Sequence, residues 1–343
     1  MRISEIGEFA LIDRIARLLP SAPASVVVGI GDDVAVLRTA AGKYLLATCD
    51  VQVENVHFLP EKITSYQLGL KIAAINLSDI AAMGGTPDWA LVSLVLPEHR
   101  PVSFVEDLYR GMQEQLAAAG AAIVGGNVSK AHADVIIDFF LMGHVEPPNL
   151  LCRSGAREGD AIMVSGSLGD SRAGLELLRN PDLQPPPNIR DRAIAKHLTP
   201  QPRLREGQAL GRCGRVHAMA DVSDGLIGDL GHICRASNLG AEIWLAEAPV
   251  GSACAQVAAA AGADPLEWAL AGGEDYELLF TAAPEAARDI EDWLLQETGT
   301  VCRVIGRMTR AANGIRILTA DGGHWEGADH LSGWDHFAVQ RRD

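Results

Sequence analysis

Strands and helices alternate along both halves of the sequence, and this alternation predicts two α/β (α+β) domains. The chain of 343 residues is long enough for two cores, and its 48% hydrophobic content can fill them. The stretch Glu146-Pro147-Pro148-Asn149 reads as a linker and divides the chain into residues 1–146 and 147–343.

In the first half, Phe9, Ile12, Ile15, Ala16 and Leu19 recur at helical spacing, so an amphipathic helix is predicted, ending at Pro20 to Pro23. Strands are predicted at 25–30, 34–38 and 44–48, and the alternating segment Val51 to Phe58 reads as extended. Ser65 to Met83 carries the clearest helical pattern, with Leu68, Ile72, Ile75 and Asp79 on one stripe. Gly84-Gly85 stops it. A strand at 89–96 follows, then a helix at 103–119 with Phe104, Leu108, Met112 and Leu116 on one face. Ala121 to Val124 reads as a strand running into Gly125-Gly126-Asn127, and 135–145 as a long strand.

In the second half, a strand at 161–165 leads through a turn at 165–170 into a helix ending near Arg179. Asn180 to Asn188, with four prolines, reads as irregular. Helix 203–213, strand 216–220, helix 226–237, strand 241–245 and helix 252–262 follow. The turn Gly272-Gly273-Glu274-Asp275, strand 276–281, helix 284–297 and strands 301–306 and 314–318 complete the pattern.

Composition narrows the chemistry. The net charge is −15 and no basic run suits a nucleic-acid backbone. The six cysteines form neither a CxxC motif nor a disulfide framework, as expected of a reduced, cytoplasmic protein. The first residues have acids at Glu5, Glu8 and Asp13 and lack the apolar core of a signal peptide. No run of roughly 18 apolar residues predicts a membrane span. There is no P-loop motif, and no HExxH or paired CxxC zinc signature.

What stands out is a series of acids placed just after apolar runs. Val26 to Val36 contains Gly29-Ile30-Gly31 followed by Asp32 and Asp33 between two hydrophobic segments. Tyr44 to Thr48 runs into Asp50, Val216 to Ala220 runs into Asp221-Val222-Ser223-Asp224-Gly225, and an apolar helical stripe carries Asp79. Buried acids require a cationic partner. Asp32, Asp33, Thr48, Asp50, Asp79, Asp221 and Asp224 are hard oxygen donors of the kind Mg²⁺ prefers, and strand ends are where such sites form. Each has a plainer reading alone: Asp79 as an acid reaching solvent near a helix end, Asp224 as a helix cap. Together they fit a metal–phosphate site for phosphoryl transfer, which depends on charge neutralisation and positioning. Gly125-Gly126 suit close approach of a phosphate, and Arg153 either pairs with phosphate or forms a surface salt bridge.

The ordered motifs resemble thiamine-monophosphate kinase, of the superfamily that includes aminoimidazole ribonucleotide synthetase. The matching stretches are Gly7-Glu8-Phe9, Gly29-Ile30-Gly31-Asp32-Asp33, Asp50 with Val56-His57-Phe58, and Asn76-Leu77-Ser78-Asp79 through Gly84. They continue with Gly125-Gly126, Arg153-Ser154-Gly155, Asp221 to Leu226, Gly272 to Leu278, and Gly333-Trp334-Asp335-His336-Phe337. The resemblance spans nearly the whole chain. It implies an N-terminal mixed-sheet domain that dimerises through its sheet and a C-terminal α/β domain over the cleft. The implied reaction is direct in-line, ATP-dependent phosphorylation of thiamine monophosphate to thiamine diphosphate. By the same resemblance, Asp33, Thr48, Cys49, Asp50, Asp79, Asn127, Asp221 and Asp224 surround several Mg²⁺ ions. Gly126, Asn127, Arg153 and Ser223 contact ATP, while His57, Glu274 and Trp334 contact the acceptor.

Two departures from the family pattern bear on metal occupancy. The family has Asp where this chain has Asn127, and Ser or Thr where it has Cys49. A thiol is a poor Mg²⁺ ligand, though the backbone carbonyl of Cys49 would serve. The alternatives are a related ATP-dependent synthetase of the superfamily and a non-catalytic paralogue that binds ATP and Mg²⁺. Asn76-Leu77-Ser78-Asp79 with Gly273 to Tyr276 favours the kinase over the synthetase, and Asn127 motivates the paralogue.

Overall fold

The computed structural model describes residues 5–20, 22–40, 42–325, 327, 331 and 333. Helix α1 (Gly7–Leu18) precedes a pair of short strands, β1 (Val26–Val28) and β2 (Ala35–Arg38). They are followed by β3 (Tyr44–Val53), α2 (Ser65–Ala82), β4 (Thr86–Pro97), α3 (Val102–Ala118), β5 (Ala122–Ala131) and β6 (Ile136–Val145). These strands form one sheet in the order β1-β2-β3-β6-β4-β5, antiparallel except between β4 and β5. Alternating side chains give it an inner face, where Leu46, Val92, Phe139 and Leu141 pack with Leu68, Ile72, Leu77 and Ile80 of α2.

Helix α2 is the centre of the molecule. Thr64 and Gln67 form a capping box at its start, and Gly84, at φ +68°, allows the chain to turn away after its end. On one side it lies close against α3. A Cβ on Gly69 would stand 2.1 Å from the Leu108 carbonyl oxygen, and one on Gly111 would stand 2.0 Å from that of Tyr66. Only glycine at both positions permits that approach. On the other side its last turn, Ala81 and Ala82, enters a core shared with Leu151, Met163, Leu210 and Met219 of the second half. The helix is therefore buried almost all round, which an amphipathic stripe alone does not predict.

The second half contains β7 (Ala161–Ser165), α4 (Asp170–Arg179), α5 (Pro187–Leu198), α6 (Leu204–Cys213), β8 (Val216–Asp221) and α7 (Leu226–Ser237). It continues with β9 (Leu239–Trp244), α8 (Ser252–Ala261), α9 (Pro265–Ala271), β10 (Leu278–Ala282), α10 (Ala287–Thr298), β11 (Cys302–Arg310) and β12 (Ile315–Leu318). Its sheet runs β12-β9-β11-β7-β10-β8, antiparallel except between β12 and β9. Two mixed sheets with packed helices give the two-domain α/β (α+β) architecture expected from the alternation.

Four elements differ from the sequence expectation. The segment Val51 to Phe58 is extended only to Val53 and then turns at Asn55, at φ +63°. Helix α5 begins inside the proline cluster, because Pro187 occupies the first helical position, where a missing N–H costs nothing. Helix α9 begins at Pro265 for the same reason, after Asp264 accepts a hydrogen bond from the Leu266 N–H at 2.8 Å. Gly125-Gly126-Asn127 does not end a strand. It lies within β5, paired to Leu91, Val92 and Ser93 of β4 past a bulge at Ala90/Leu91.

Candidate active site

Four segments deliver carboxylates to one place. The loop after β1 supplies Asp33, β3 supplies Thr48 and Asp50 on one face, α2 supplies Asp79, and the end of β8 supplies Asp221. Carboxylate oxygens of Asp33, Asp79 and Asp221 lie within 4.8 Å of one another. The Thr48 hydroxyl donates to Asp79 Oδ2 at 2.6 Å, and the Ser78 hydroxyl donates to Asp221 Oδ2 at 2.6 Å. Asp33 Oδ2 and Asp50 Oδ2 are buried with no hydrogen-bond partner.

The electrostatics follow from this crowding. Burial, then Asp224, Asp138 and Asp33, push the Asp50 carboxyl up to about 6. Burial, then Asp33, push Asp221 up to about 7, against the opposing hydrogen bond from Ser78. Asp79 lies well above the ordinary carboxylate range, through burial and then Asp50, Asp221 and Asp33. Like charges in a low-dielectric site disfavour full ionisation unless a cation shares it.

Arg153 supplies part of that cation. Its Nε donates to Asp33 Oδ1 at 3.0 Å and its second guanidinium nitrogen contacts the same oxygen. Its side chain is 16% exposed, so it is neither a surface salt bridge nor, in this structure, unpaired. Asp32 orients this arrangement: its carboxylate accepts the Arg153 backbone N–H at 3.1 Å and the Asp33 N–H at 3.0 Å. Burial, then the neighbouring Asp33, push Asp32 up to about 6.

The loop from Asp221 to Gly225 is held by Asp229 on the first turn of α7. Asp229 Oδ2 accepts the Ser223 and Asp224 N–H groups, each at 3.1 Å, while its Oδ1 is buried with no hydrogen-bond partner. Ligand atoms of Asp224, Asp229 and His232 also lie within 4.8 Å of one another. Burial, then Arg153 and Arg235, push His232 down to about 3, and Phe9 of α1 meets its ring edge-on at 4.7 Å.

Glu274 follows α9 and faces the same loop. Its N–H donates to the Ser223 carbonyl at 2.7 Å, and the Tyr276 N–H donates to that of Val222 at 2.9 Å. Glu274 Oε1 lies 2.8 Å from Lys71 Nζ, and Oε2 lies 3.1 Å from His197 Nδ1. Burial would raise the Glu274 carboxyl; Lys71, then His197 and His57, more than offset it and hold it below the ordinary value. His57 is thus on the same side of the cleft, its Nδ1 accepting the Val53 N–H at 3.0 Å.

Asp33, Thr48, Asp50, Asp79, Asp221 and Asp224 therefore converge, with Arg153 and Ser223 beside them and His57 within electrostatic reach of Glu274. Cys49 and Asn127 do not join that cluster. Cys49 pairs with Phe140 on β6, and Asn127 shares a cross-sheet row with Ser93 and Asp138, on the face opposite to Thr48 and Asp50. Gly126 lies in the row of Asp50, Phe139 and Val92. Trp334 lies outside the described residues.

Sequence reasoning missed Lys71, Ser78, Asp229 and His232 as parts of the site. A signal existed for three of them. Lys71 and Asp79 are the charged residues of α2, and Asp229 with His232 lie at i, i+3 just after Asp224.

Comparison with known proteins bears on this geometry. The family model for the AIR synthase related protein, N-terminal domain, matches residues 31–145, and that for the C-terminal domain matches residues 157–318. Thiamine-monophosphate kinase of Aquifex aeolicus (strain VF5) is 41% identical over 285 residues, covering 83% of this chain and 89% of that protein. Thiamine-monophosphate kinase of Escherichia coli (strain K12) is 38% identical over 332 residues, covering 95% and 98%. Among solved structures, AaThiL complexed with AMPPCP and TMP superposes with a TM-score of 0.84 at 37% identity, covering 98% of this chain and 99% of that one.

Proposed function

This chain belongs to the thiamine-monophosphate kinase family, and we propose that its buried acidic cluster is where the two substrates of that enzyme meet. The reaction is the ATP-dependent phosphorylation of thiamine monophosphate to thiamine diphosphate. One observation carries the assignment to this site: Asp33, Asp79 and Asp221 are within 4.8 Å, and buried oxygens of Asp33 and Asp50 lack any hydrogen-bond donor. Such a donor set fits hard divalent cations, and Asp33, Asp50, Asp79, Asp221 and Asp224 would hold Mg²⁺ here. Bound there, the metal would supply charge neutralisation for the transferring phosphoryl group.

The chain's own residues do the rest. Arg153, kept in place through its backbone by Asp32 and bound to Asp33 through Nε and one terminal nitrogen, would turn its remaining guanidinium N–H groups to phosphate oxygens. Ser223 and Gly126 border the nucleotide. His57 and Glu274 receive the thiamine end of the acceptor. Thr48 and Ser78 fix the rotamers of Asp79 and Asp221, so the oxygens are oriented before substrate arrives. The Cys49 carbonyl, in the strand between Thr48 and Asp50, would serve a further ion, whereas the Asn127 side chain, on the opposite face of the sheet, is left out of the cluster.

The outer face of the first sheet exposes Val51, Trp89, Leu91 and Phe140, which supports a homodimer through that sheet. Six unpaired cysteines support a cytoplasmic location, and among the described residues no helix is long and apolar enough to cross a membrane. A boundary at residue 146 or 147 is supported by the gap between the two family matches.

The test is ADP release under excess Mg²⁺ with thiamine monophosphate, with free thiamine and an aminoimidazole-pathway substrate as controls. Thiamine diphosphate forms with the monophosphate alone. ATP binding without turnover on any of the three would replace this reading with the non-catalytic paralogue.

A further inference from the structure

Lys71 is 1% exposed, an ammonium in the middle of an apolar helix. A buried ammonium is costly unless it is paired and hydrogen-bonded. Its partner is Glu274 Oε1 at 2.8 Å, on the other half of the molecule. The second oxygen of that carboxylate is taken by His197 Nδ1 at 3.1 Å, and the same nitrogen lies 3.2 Å from the Ser171 hydroxyl. Both oxygens of Glu274 are thus held from outside its own turn.

The backbone of that turn is held as firmly. Glu274 and Tyr276 adopt φ +65° and +52°, in the left-handed region that side chains other than glycine rarely occupy. Each such residue is strained and persists where surrounding bonds over-determine it. Here those bonds are Glu274 N–H to Ser223 and Tyr276 N–H to Val222, the loop that also carries Asp221 and Asp224. Strain and a cross-molecule ion pair therefore converge on one carboxylate.

Lys71 and Asp79 also belong to one helix, α2, eight positions and roughly 12 Å apart along its axis. A rigid helix thus carries both a member of the phosphate-handling cluster and the counter-ion of the acceptor-binding carboxylate.

We infer that Lys71 is a positioning residue for acceptor specificity: it aims the Glu274 carboxylate at the acceptor, and through α2 fixes its distance from the phosphate end. This inference rests on the reading that Glu274 contacts the thiamine ester. Lys71, 1% exposed and paired to Glu274, is given no contact with ATP or the transferring group.

Steady-state kinetics of the full chain separate the possibilities. Lys71→Met should raise KM for thiamine monophosphate by about tenfold or more, with kcat and KM for ATP changed by less than about threefold, because only acceptor binding is disturbed. Lys71→Arg, which keeps the charge, should recover a large part of that loss. An acceptor KM within about twofold of the parent overturns the inference, as does a parallel fall in kcat and rise in both KM values. Glu274→Gln distinguishes the two levels. If it raises the acceptor KM while Lys71→Met does not, the inference alone fails; if it leaves the acceptor KM unchanged, the role given to Glu274 fails. Should Lys71→Met not fold, the double variant Lys71→Met/Glu274→Gln removes both buried charges. Its acceptor KM should equal that of Glu274→Gln, and an acceptor KM equal to the parent's overturns the inference.

Discussion

The Ser78 hydroxyl donates a 2.6 Å hydrogen bond to Asp221 Oδ2, tying helix α2 to the end of strand β8. Ser78 is wholly buried and Asp221 nearly so. The bond crosses between the two halves of the chain at the centre of the acidic cluster. It has a counterpart in Thr48, whose hydroxyl fixes Asp79 in the same way. Two neutral donors thus orient two carboxylates without neutralising them, which leaves their charge available to a cation.

Removing the Ser78 hydroxyl should weaken the site without dismantling it. Leaving a buried hydrogen-bonding group without its partner costs about 1–3 kcal/mol. The Ser78 bond is one of the influences that lower the Asp221 carboxyl, so its loss favours the protonated form. Ser78→Ala should therefore raise the Mg²⁺ concentration for half-maximal activity by about tenfold, since 1.4 kcal/mol is a factor of ten. A Mg²⁺ titration of ADP release measures this, and an unchanged midpoint would show that Ser78 serves packing alone.

Asp50→Asn separates function from stability. The carboxylate is buried, its Oδ2 has no donor, and it is surrounded by Asp224, Asp138 and Asp33. An amide removes a repelled charge while conserving volume. Turnover should fall by about a thousandfold or more, in line with loss of a main electrostatic contact in a preorganised site. The metal-free protein should melt at the same temperature or higher. Near-normal turnover in the folded variant would refute the metal role given to Asp50.

The raised carboxyls also set a pH signature. Asp50 at about 6 and Asp221 at about 7 remain protonated in the native state while the unfolded chain ionises from its ordinary value of 3.8. Between those limits the native state binds more protons, so their contribution to metal-free stability falls as pH rises from about 4 to about 7. His197 and His232, pushed down to about 3 chiefly by burial, act with the opposite sign: their stabilisation is lost as pH falls below 6.5. The difference made by Mg²⁺ isolates the carboxylates, because metal binding must displace their protons. Calorimetry should show a larger Mg²⁺-induced rise in Tm at about pH 8 than at about pH 5.5. Equal rises would mean that the cation binds elsewhere.

The parts of the site that were legible in the sequence carry local signals. Asp33, Asp50, Asp79 and Asp221 each follow an apolar run or ride on an apolar stripe, so their burial was readable one segment at a time. The parts that were not legible depend on contacts across the molecule. Lys71 gained its meaning only once the turn at Glu274 and His197 of α5 were seen to meet there. Gly126 and Asn127 read as the end of a strand until the pairing with Val92 and Ser93 holds them extended. Arg153 reads as a phosphate fork or a surface ion pair, and only the fold shows it seated on Asp33. The prolines before α5 read as an irregular stretch because sequence pattern does not separate the first helical position from the interior.

The outer face of the first sheet makes the last prediction. Phe140 pairs across β6 with Cys49 on one side and Leu91 on the other, and Trp89 and Val51 lie on the same face. Phe140 is 43% exposed and Trp89 51%, large apolar surface on a sheet whose inner face is already packed on α2. A contiguous patch of this kind marks an interface, and in a homo-oligomer a two-fold axis lets one patch cover itself. Phe140→Asp places a carboxylate at the centre of that face and, across the axis, opposite its own copy. Sedimentation equilibrium should report a dimer for the parent and a monomer for the variant at micromolar concentration, where repulsion and desolvation oppose association. A variant that sediments as the parent does would show that a different surface joins the chains, and a monomeric parent would remove the dimer from the reading altogether.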